Sequence, residues 1–225
     1  MRRVFSAFFL FFVLSCVQPC HVQGAVSLSQ ILDGILKRYG DLPAFTVPYQ
    51  REIITKSMAM LGDEMKGDLA SGKIYFKSPH YLSIKQEEPR LETITTNSHT
   101  LWWFIPEKEV VYQYRSNRLG KELQLLGDIF QGLKEVGDSF DVIQSDLGES
   151  SEYHLKLVPN PPWEEINSID LVISKEGFYI RKIDIKNVLG NITRFNLGDL
   201  SEREDIDSNF FTFKVPKGVR VIEEE

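Results

Sequence analysis

Apolar positions along this chain change their spacing three times, and each change marks a different kind of element. Near the start, Ser27 is followed three residues later by Gln30, a capping-box pair, and Leu28, Ile31, Leu32, Ile35, Leu36 and Tyr39 then recur at helical spacing until Gly40. From Ala44 the period drops to two, which predicts strands over 44–54, 68–77, 81–86, 90–96, 100–105 and 110–115. The stretch 55–66, with Met58, Met60, Leu61 and Met65 around Gly62, is less periodic and reads as a hairpin extension or a loop. A second helix is predicted by Leu119, Leu123, Leu126, Phe130 and Leu133, with breaks at Gly132 and Gly137. Period-two patterning returns over 140–146, 153–158, 168–174, 178–187 and 191–200, with a short last strand over 209–215 and good hairpin turns at Lys175-Glu176-Gly177 and Leu189-Gly190-Asn191.

Connections as short as Glu87-Glu88-Pro89 leave no room for the crossovers that parallel strands need, so the sheet is read as antiparallel. A meander of about eleven strands exceeds what a flat open sheet tolerates and should curl toward a barrel, giving a mainly β fold covered by two or three amphipathic helices. No repeat or linker divides the chain, and the proline-rich run Pro159 to Trp163 reads as a loop within one domain, residues 25–225.

The first residues follow another rule. Arg2 and Arg3 precede an apolar run rich in phenylalanine (Phe5, Phe8, Phe9, Phe11, Phe12), a pattern that predicts a signal peptide over residues 1–24 and export. The run is too short to be read as a membrane span. Two exits are legible: cleavage at the small residues before Ala25, which the reading favours, or lipidation of Cys16 in the lipobox-like Val13-Leu14-Ser15-Cys16. Cys16 and Cys20 are the only cysteines, so the first exit leaves none and a fold that rests on packing alone.

Composition narrows the chemistry. Of 225 residues, 42% are hydrophobic and 26% charged, which suits a folded globular chain. The net charge is −6, and without Arg2 and Arg3 it becomes −8, which argues against nucleic-acid binding because phosphates are repelled. His21, His80, His99 and His154 show no metal-ligand spacing, and no nucleophile elbow, glycine-rich phosphate loop or Ser-x-x-Lys occurs, so neither a metal, a cofactor nor a catalytic residue is assigned. What remains is apolar surface. The run Leu101-Trp102-Trp103-Phe104-Ile105 is large and apolar on both faces of one strand, which implies either a core on each side or one face lining a cavity for an acyl chain.

An ordered set of motifs then resembles the LolA family of periplasmic outer-membrane lipoprotein carriers. Gly72-Lys73-Ile74-Tyr75-Phe76-Lys77-Ser78-Pro79 is similar to the family's glycine-to-K-R-P strand, and Thr100-Leu101-Trp102-Trp103-Phe104-Ile105-Pro106 to its T-L-W-x-Y-x-P. Leu155-Lys156-Leu157-Val158-Pro159, Gly190-Asn191-Ile192-Thr193-Arg194-Phe195 and Phe211-Thr212-Phe213-Lys214-Val215-Pro216-Lys217-Gly218-Val219 follow in the family's order. Two departures stand out: K-R-P becomes Lys77-Ser78-Pro79, and the turn before T-L-W is Asn97-Ser98-His99. The resemblance implies an incomplete barrel with a helical lid over a hydrophobic cavity that shields the acyl chains of lipoproteins. It also implies an inner-membrane ABC transporter that loads the carrier, an outer-membrane lipoprotein acceptor that unloads it, and no catalysis. On that reading Leu32, Ile35, Leu36, Leu123, Leu126 and Phe130 are lid candidates, Trp102 and Phe104 are wall candidates, and Ile74 and Phe76 also count toward the cavity. A monomer suits cargo passed from mouth to mouth. The alternatives are a membrane-anchored acceptor lipidated at Cys16, a carrier of another lipid, an exported hydrolase of acyl substrates, and a scaffold with a filled core.

Overall fold

The computed structural model describes residues 26–61, 67–97, 99–115, 121–145 and 151–224. The leader with both its exits, residues 62–66 with Gly62 and Met65, Ser98 and Leu119 lie outside the described residues. Thirteen strands form one sheet: β1 (Ala44–Ile54), β2 (Asp68–Lys77), β3 (Tyr81–Glu88), β4 (Glu92–Thr96), β5 (Thr100–Ile105), β6 (Val110–Arg115), β7 (Phe140–Ser145), β8 (Glu152–Pro159), β9 (Ile166–Ser174), β10 (Ile180–Asn187), β11 (Ile192–Leu197), β12 (Ser201–Arg203) and β13 (Arg220–Glu224). The helices are α1 (Leu28–Tyr39), α2 (Lys56–Leu61), α3 (Lys121–Phe130) and the single turn α4 (Val136–Ser139).

The strand order β13-β6-β5-β4-β3-β2-β1-β11-β10-β9-β8-β7 is two antiparallel meanders joined through β1. Its ends, β13 and β7, do not pair with each other among the described residues, so the fold is an open, incomplete barrel with helices on one face. One core cluster draws on β1 to β3, β7 to β11, α1 and α3 together, which requires the sheet to curl around the helices. The mainly β class and the helical lid are therefore as the sequence implies, with two strands more than the count of about eleven.

The two additions and one replacement have physical causes. Pro48 sits inside β1, a place where a proline normally argues against a central strand because it has no N–H to donate. Here the partner strand is broken opposite it: β12 pairs with Ala44 to Thr46, β11 with Tyr49 to Ile54, and Gly198 N donates to Pro48 O at 2.9 Å in the gap. The strand expected over 209–215 is instead a 3-10 turn at Ser208–Phe211, capped by Asp207, whose side chain accepts from Asn209 N. A strand would send Phe210 and Phe211 to opposite faces. The turn lets both pack on the same side, Phe210 on Tyr75 and Phe211 on Tyr81, with Phe213 on Phe104. Past it, β13 pairs in parallel with β6, from Arg220 opposite Val110 to Glu224 opposite Tyr114, which corrects the all-antiparallel reading of the sheet.

Candidate functional site

Cross-strand register fixes which residues share a face. The rows Phe45–Phe76–Leu82 and Val47–Ile74–Ile84–Ile94–Trp103–Tyr112 run across the sheet on one side. On that side lie α1 and α3. The Ser27 capping box starts α1: Gln30 N donates to Ser27 Oγ, and Ser27 N donates to Gln30 Oε1. Helical spacing then puts Ile31, Ile35 and Tyr39 against the sheet, and α3 contributes Leu125, Leu126, Ile129 and Phe130. Phe130 stands edge-on to Phe45 with ring centres 5.3 Å apart and meets Phe76 at 6.0 Å, and all three rings are buried. The space between helices and sheet is thus occupied by the protein's own side chains at these positions.

The helices also hold each other. A Cβ on Gly132, just after α3, would lie 2.9 Å from Leu36 Cα, and its φ of +81° suits glycine. A Cβ on Gly34 would lie 2.4 Å from the Phe178 ring, so α1 rests directly on the β9–β10 turn. At the end of α1, Tyr39 Oη accepts from the backbone N–H of Ile180 at 3.0 Å. Burial pushes this hydroxyl up to about 12, against the smaller opposing effect of that hydrogen bond. Beside it, Arg38 donates to Tyr179 Oη and to Glu202 and lies over the Tyr179 ring.

The anticipated residues divide into three groups. Ile35, Ile74, Phe76, Leu126 and Phe130 meet in the core between helices and sheet, and Leu32 and Leu123 pack half-buried against it. Leu36 is 37% exposed at the edge of α1, where it lines a groove of about 490 Å³ with Asp33, Lys37, Ser78 and Pro79. Trp102 and Phe104 are the correction: β5 turns them to the opposite face, where Trp102 Nε1 donates to Gln113 and Phe104 packs against the tilted ring of Phe213. The large residue of that run on the helix side is Trp103, which packs against Tyr112 and donates from Nε1 to Glu92 at 3.0 Å. Alternation is symmetric, so nothing local distinguishes Trp102 from Trp103; only the register to Ile94 and Ile84 does.

Polar groups border the apolar face in two places. A cavity of about 280 Å³ between the end of α3 and the β2–β3 turn is lined by His80, Asp128, Lys134 and Glu135 among others. Burial raises the Asp128 carboxyl, as does Glu135, while His80 opposes them. The second place is on β1, where Tyr49 and Arg51 follow Phe45 and Val47 on the helix side. Burial raises the Tyr49 hydroxyl, with Arg51 opposing. The Arg51 Nε is buried without a hydrogen-bond partner among the described residues. Sequence patterning misses both, since a strand with an arginine at an inward position reads locally as a solvated end. Among the described residues no group of three His, Cys, Asp or Glu could hold a metal ion, and no helix is long and apolar enough to cross a membrane.

With this geometry in place, the chain compares as follows. The family model for outer membrane lipoprotein carrier protein LolA matches residues 61–214. A relative named outer-membrane lipoprotein carrier protein from Azotobacter vinelandii is 24% identical over 157 residues, covering 68% of this chain and 72% of its own. One of the same name from Hahella chejuensis is 23% identical over 194 residues, 86% of this chain and 87% of its own. Among solved structures, an uncharacterized conserved protein from Thermus thermophilus aligns with a TM-score of 0.50 at 10% identity, over 87% of this chain and 98% of that one. A LolA superfamily protein from Nitrosomonas europaea aligns with a TM-score of 0.47 at 16% identity, over 84% and 99% respectively.

Proposed function

The chain belongs to the LolA family, and on that basis we propose that it is a periplasmic carrier that shields the acyl chains of lipoproteins and moves them from the inner to the outer membrane. The observation that carries this reading is the covered apolar face: two amphipathic helices lie on an apolar sheet face and are held there mainly by side-chain packing. The 1–24 leader is proposed to be removed before Ala25, leaving a soluble monomer. An inner-membrane ABC transporter supplies the cargo and an outer-membrane acceptor receives it. The chain itself performs no chemistry.

The magnitudes are compatible with exchange. An acyl chain of roughly fourteen methylenes gains about 11 kcal/mol on leaving water. Lifting α1 and α3 would uncover Ile31, Ile35, Leu125, Leu126, Ile129 and Phe130, all fully buried. At about 1.5–3 kcal/mol each, that exposure costs up to roughly 9–18 kcal/mol. The two terms are of one size. Cargo can therefore replace the protein's own side chains without a dominant free-energy change in either direction, and release needs no ATP.

Uptake decides the matter. The protein purified from the periplasm of its own host should carry an acylated adduct in native mass spectrometry, and the emptied protein should take up a diacylated lipopeptide one to one. Leu126→Glu, which puts a charge under α3, should abolish uptake. A protein that carries nothing and takes up no lipopeptide would sink the carrier reading and leave a scaffold with a filled core. The N-terminal mass reads the exit: a chain starting at Ala25 supports the soluble carrier, and a lipidated Cys16 would make the protein a membrane-anchored acceptor.

A further inference from the structure

We infer that Arg51 is an anion-binding residue on the helix-facing side of the sheet, so that the protein also takes an anionic amphiphile, held by a phosphate or carboxylate group next to its acyl chain, besides the neutral acyl anchor of a lipoprotein. The inference rests on the carrier reading above and adds to it a polar specificity.

The position is unusual for a cation. On β1, Phe45, Val47, Tyr49 and Arg51 share the face that α1 and α3 cover, and the register sets Arg51 between Phe195 on β11 and Ala70 on β2, both buried. Its Nε is buried with no hydrogen-bond partner, and its guanidinium makes no ion pair with any described residue. A buried donor left unmade is costly, and the cost is larger on a charged group. Other arginines near the same sheet have a carboxylate partner: Arg194 grips Asp184 with two hydrogen bonds of 2.9 Å, and Arg38, whose Nε is likewise buried without a hydrogen-bond partner among the described residues, holds Glu202 through Nη2 at 2.7 Å.

The neighbours supply donors and little competition. Tyr49 stands two residues earlier on the same face, roughly 7 Å along the strand. Its burial keeps the hydroxyl protonated, so it can donate. Two carboxylates have charges that reach Tyr49, and both are engaged: Glu92 accepts from Trp103 Nε1 and pairs with Arg90, and Glu87 pairs with Lys73. A planar guanidinium and a phenol at the end of an apolar surface match an amphiphile whose chain lies along Phe45 and Val47 and whose anion meets the fork of Arg51. Phosphate and carboxylate share this chemistry.

The test compares three sixteen-carbon probes on the full mature protein, each displacing an apolar dye below its micelle concentration: a monoacylglycerol phosphate, palmitate and uncharged monopalmitoylglycerol. The two anions are expected to bind at least about tenfold tighter than the glyceride, and the tighter of the two identifies the headgroup class. Arg51→Gln should close that gap while changing glyceride affinity by less than about twofold; Arg51→Lys should retain part of it. Equal affinities for all three probes, or a gap that survives Arg51→Gln, overturn the role of Arg51 and leave the carrier reading intact. Binding of none of the probes, and of no lipopeptide, overturns both. Should Arg51→Gln fail to fold, salt decides: anion binding that weakens with added salt while glyceride binding does not supports the inference, and salt-independent anion binding overturns it.

Discussion

The two halves of the sheet bury one face in the same way and treat the other in opposite ways. Over β7 to β11 the outward face carries a charged ladder, with Lys156 opposite Asp170, Asp170 opposite Asp184 and Asp184 opposite Arg194, while Leu157, Ile169 and Ile185 point inward. Over β2 to β6 the outward face carries Tyr75, Tyr81 and Phe104, and the segment at Ser208–Phe211 with Phe213 lies across them. Lys85 sits over the Phe210 ring at 4.2 Å, continuing the cover. Apolarity on both faces of a strand therefore does not by itself mark a cavity. Here it means that a second layer arrives from about a hundred residues further along the chain.

The sharpest break of this contrast is Phe211→Ala. The ring is fully buried against Tyr81 and Phe210, so its removal should cost about 3–5 kcal/mol in urea unfolding. A loss under about 1 kcal/mol would show that the cover is a loose flap.

Next in size is the fastening of α1, which is polar on one half and packed on the other. Tyr39→Phe strands the Ile180 N–H in the core and should cost about 1–3 kcal/mol at pH 7. The same hydroxyl makes an alkaline signature. Its folded pKa is raised to about 12, so the neutral phenol is favoured by folding. The stability it confers is complete below pH ~10 and falls as pH rises toward 12, by on the order of 2–3 kcal/mol. Tyr39→Phe should remove that alkaline loss, read from unfolding midpoints at alkaline pH.

A smaller effect is expected in the charged ladder. Arg194→Ala leaves Asp184, which is 9% exposed, without its two-point partner, and should cost about 1–2 kcal/mol. Smallest is Ile143→Ala: this side chain is 52% exposed on the outward face of β7, and thermal denaturation should register a change within about 0.5 kcal/mol. An effect as large as that of Phe211→Ala would show that the polar half also has a cover.

Much of the molecule was legible from spacing because the relevant forces are local. The capping box at Ser27, the helical face Ile31, Ile35 and Tyr39, and both ends of β1, β2, β5 and β6 follow from propensity and period. The burial of Ile35, Leu126 and Phe130 was legible too, since an amphipathic helix has one face to bury.

Three features were not. Trp102 and Trp103 are neighbours of the same type, and which one faces the helices depends on the pairing of β5 with β4 and β3, which a strand's own sequence does not encode. The aromatic run at Phe210 to Phe213 reads as a strand until the surface it covers is known. Arg51 looks like the polar end of a strand until Phe195 and Ala70 are set on either side of it. The elements, the antiparallel meander and the family can be read from the residues alone, because they rest on short-range periodicity, turn chemistry and ordered motifs. Folding was needed to settle which side of each apolar strand meets the helices and where an arginine Nε is left without a hydrogen-bond partner among the described residues. Those outcomes are long-range packing choices, made between segments that approach each other only when the sheet curls.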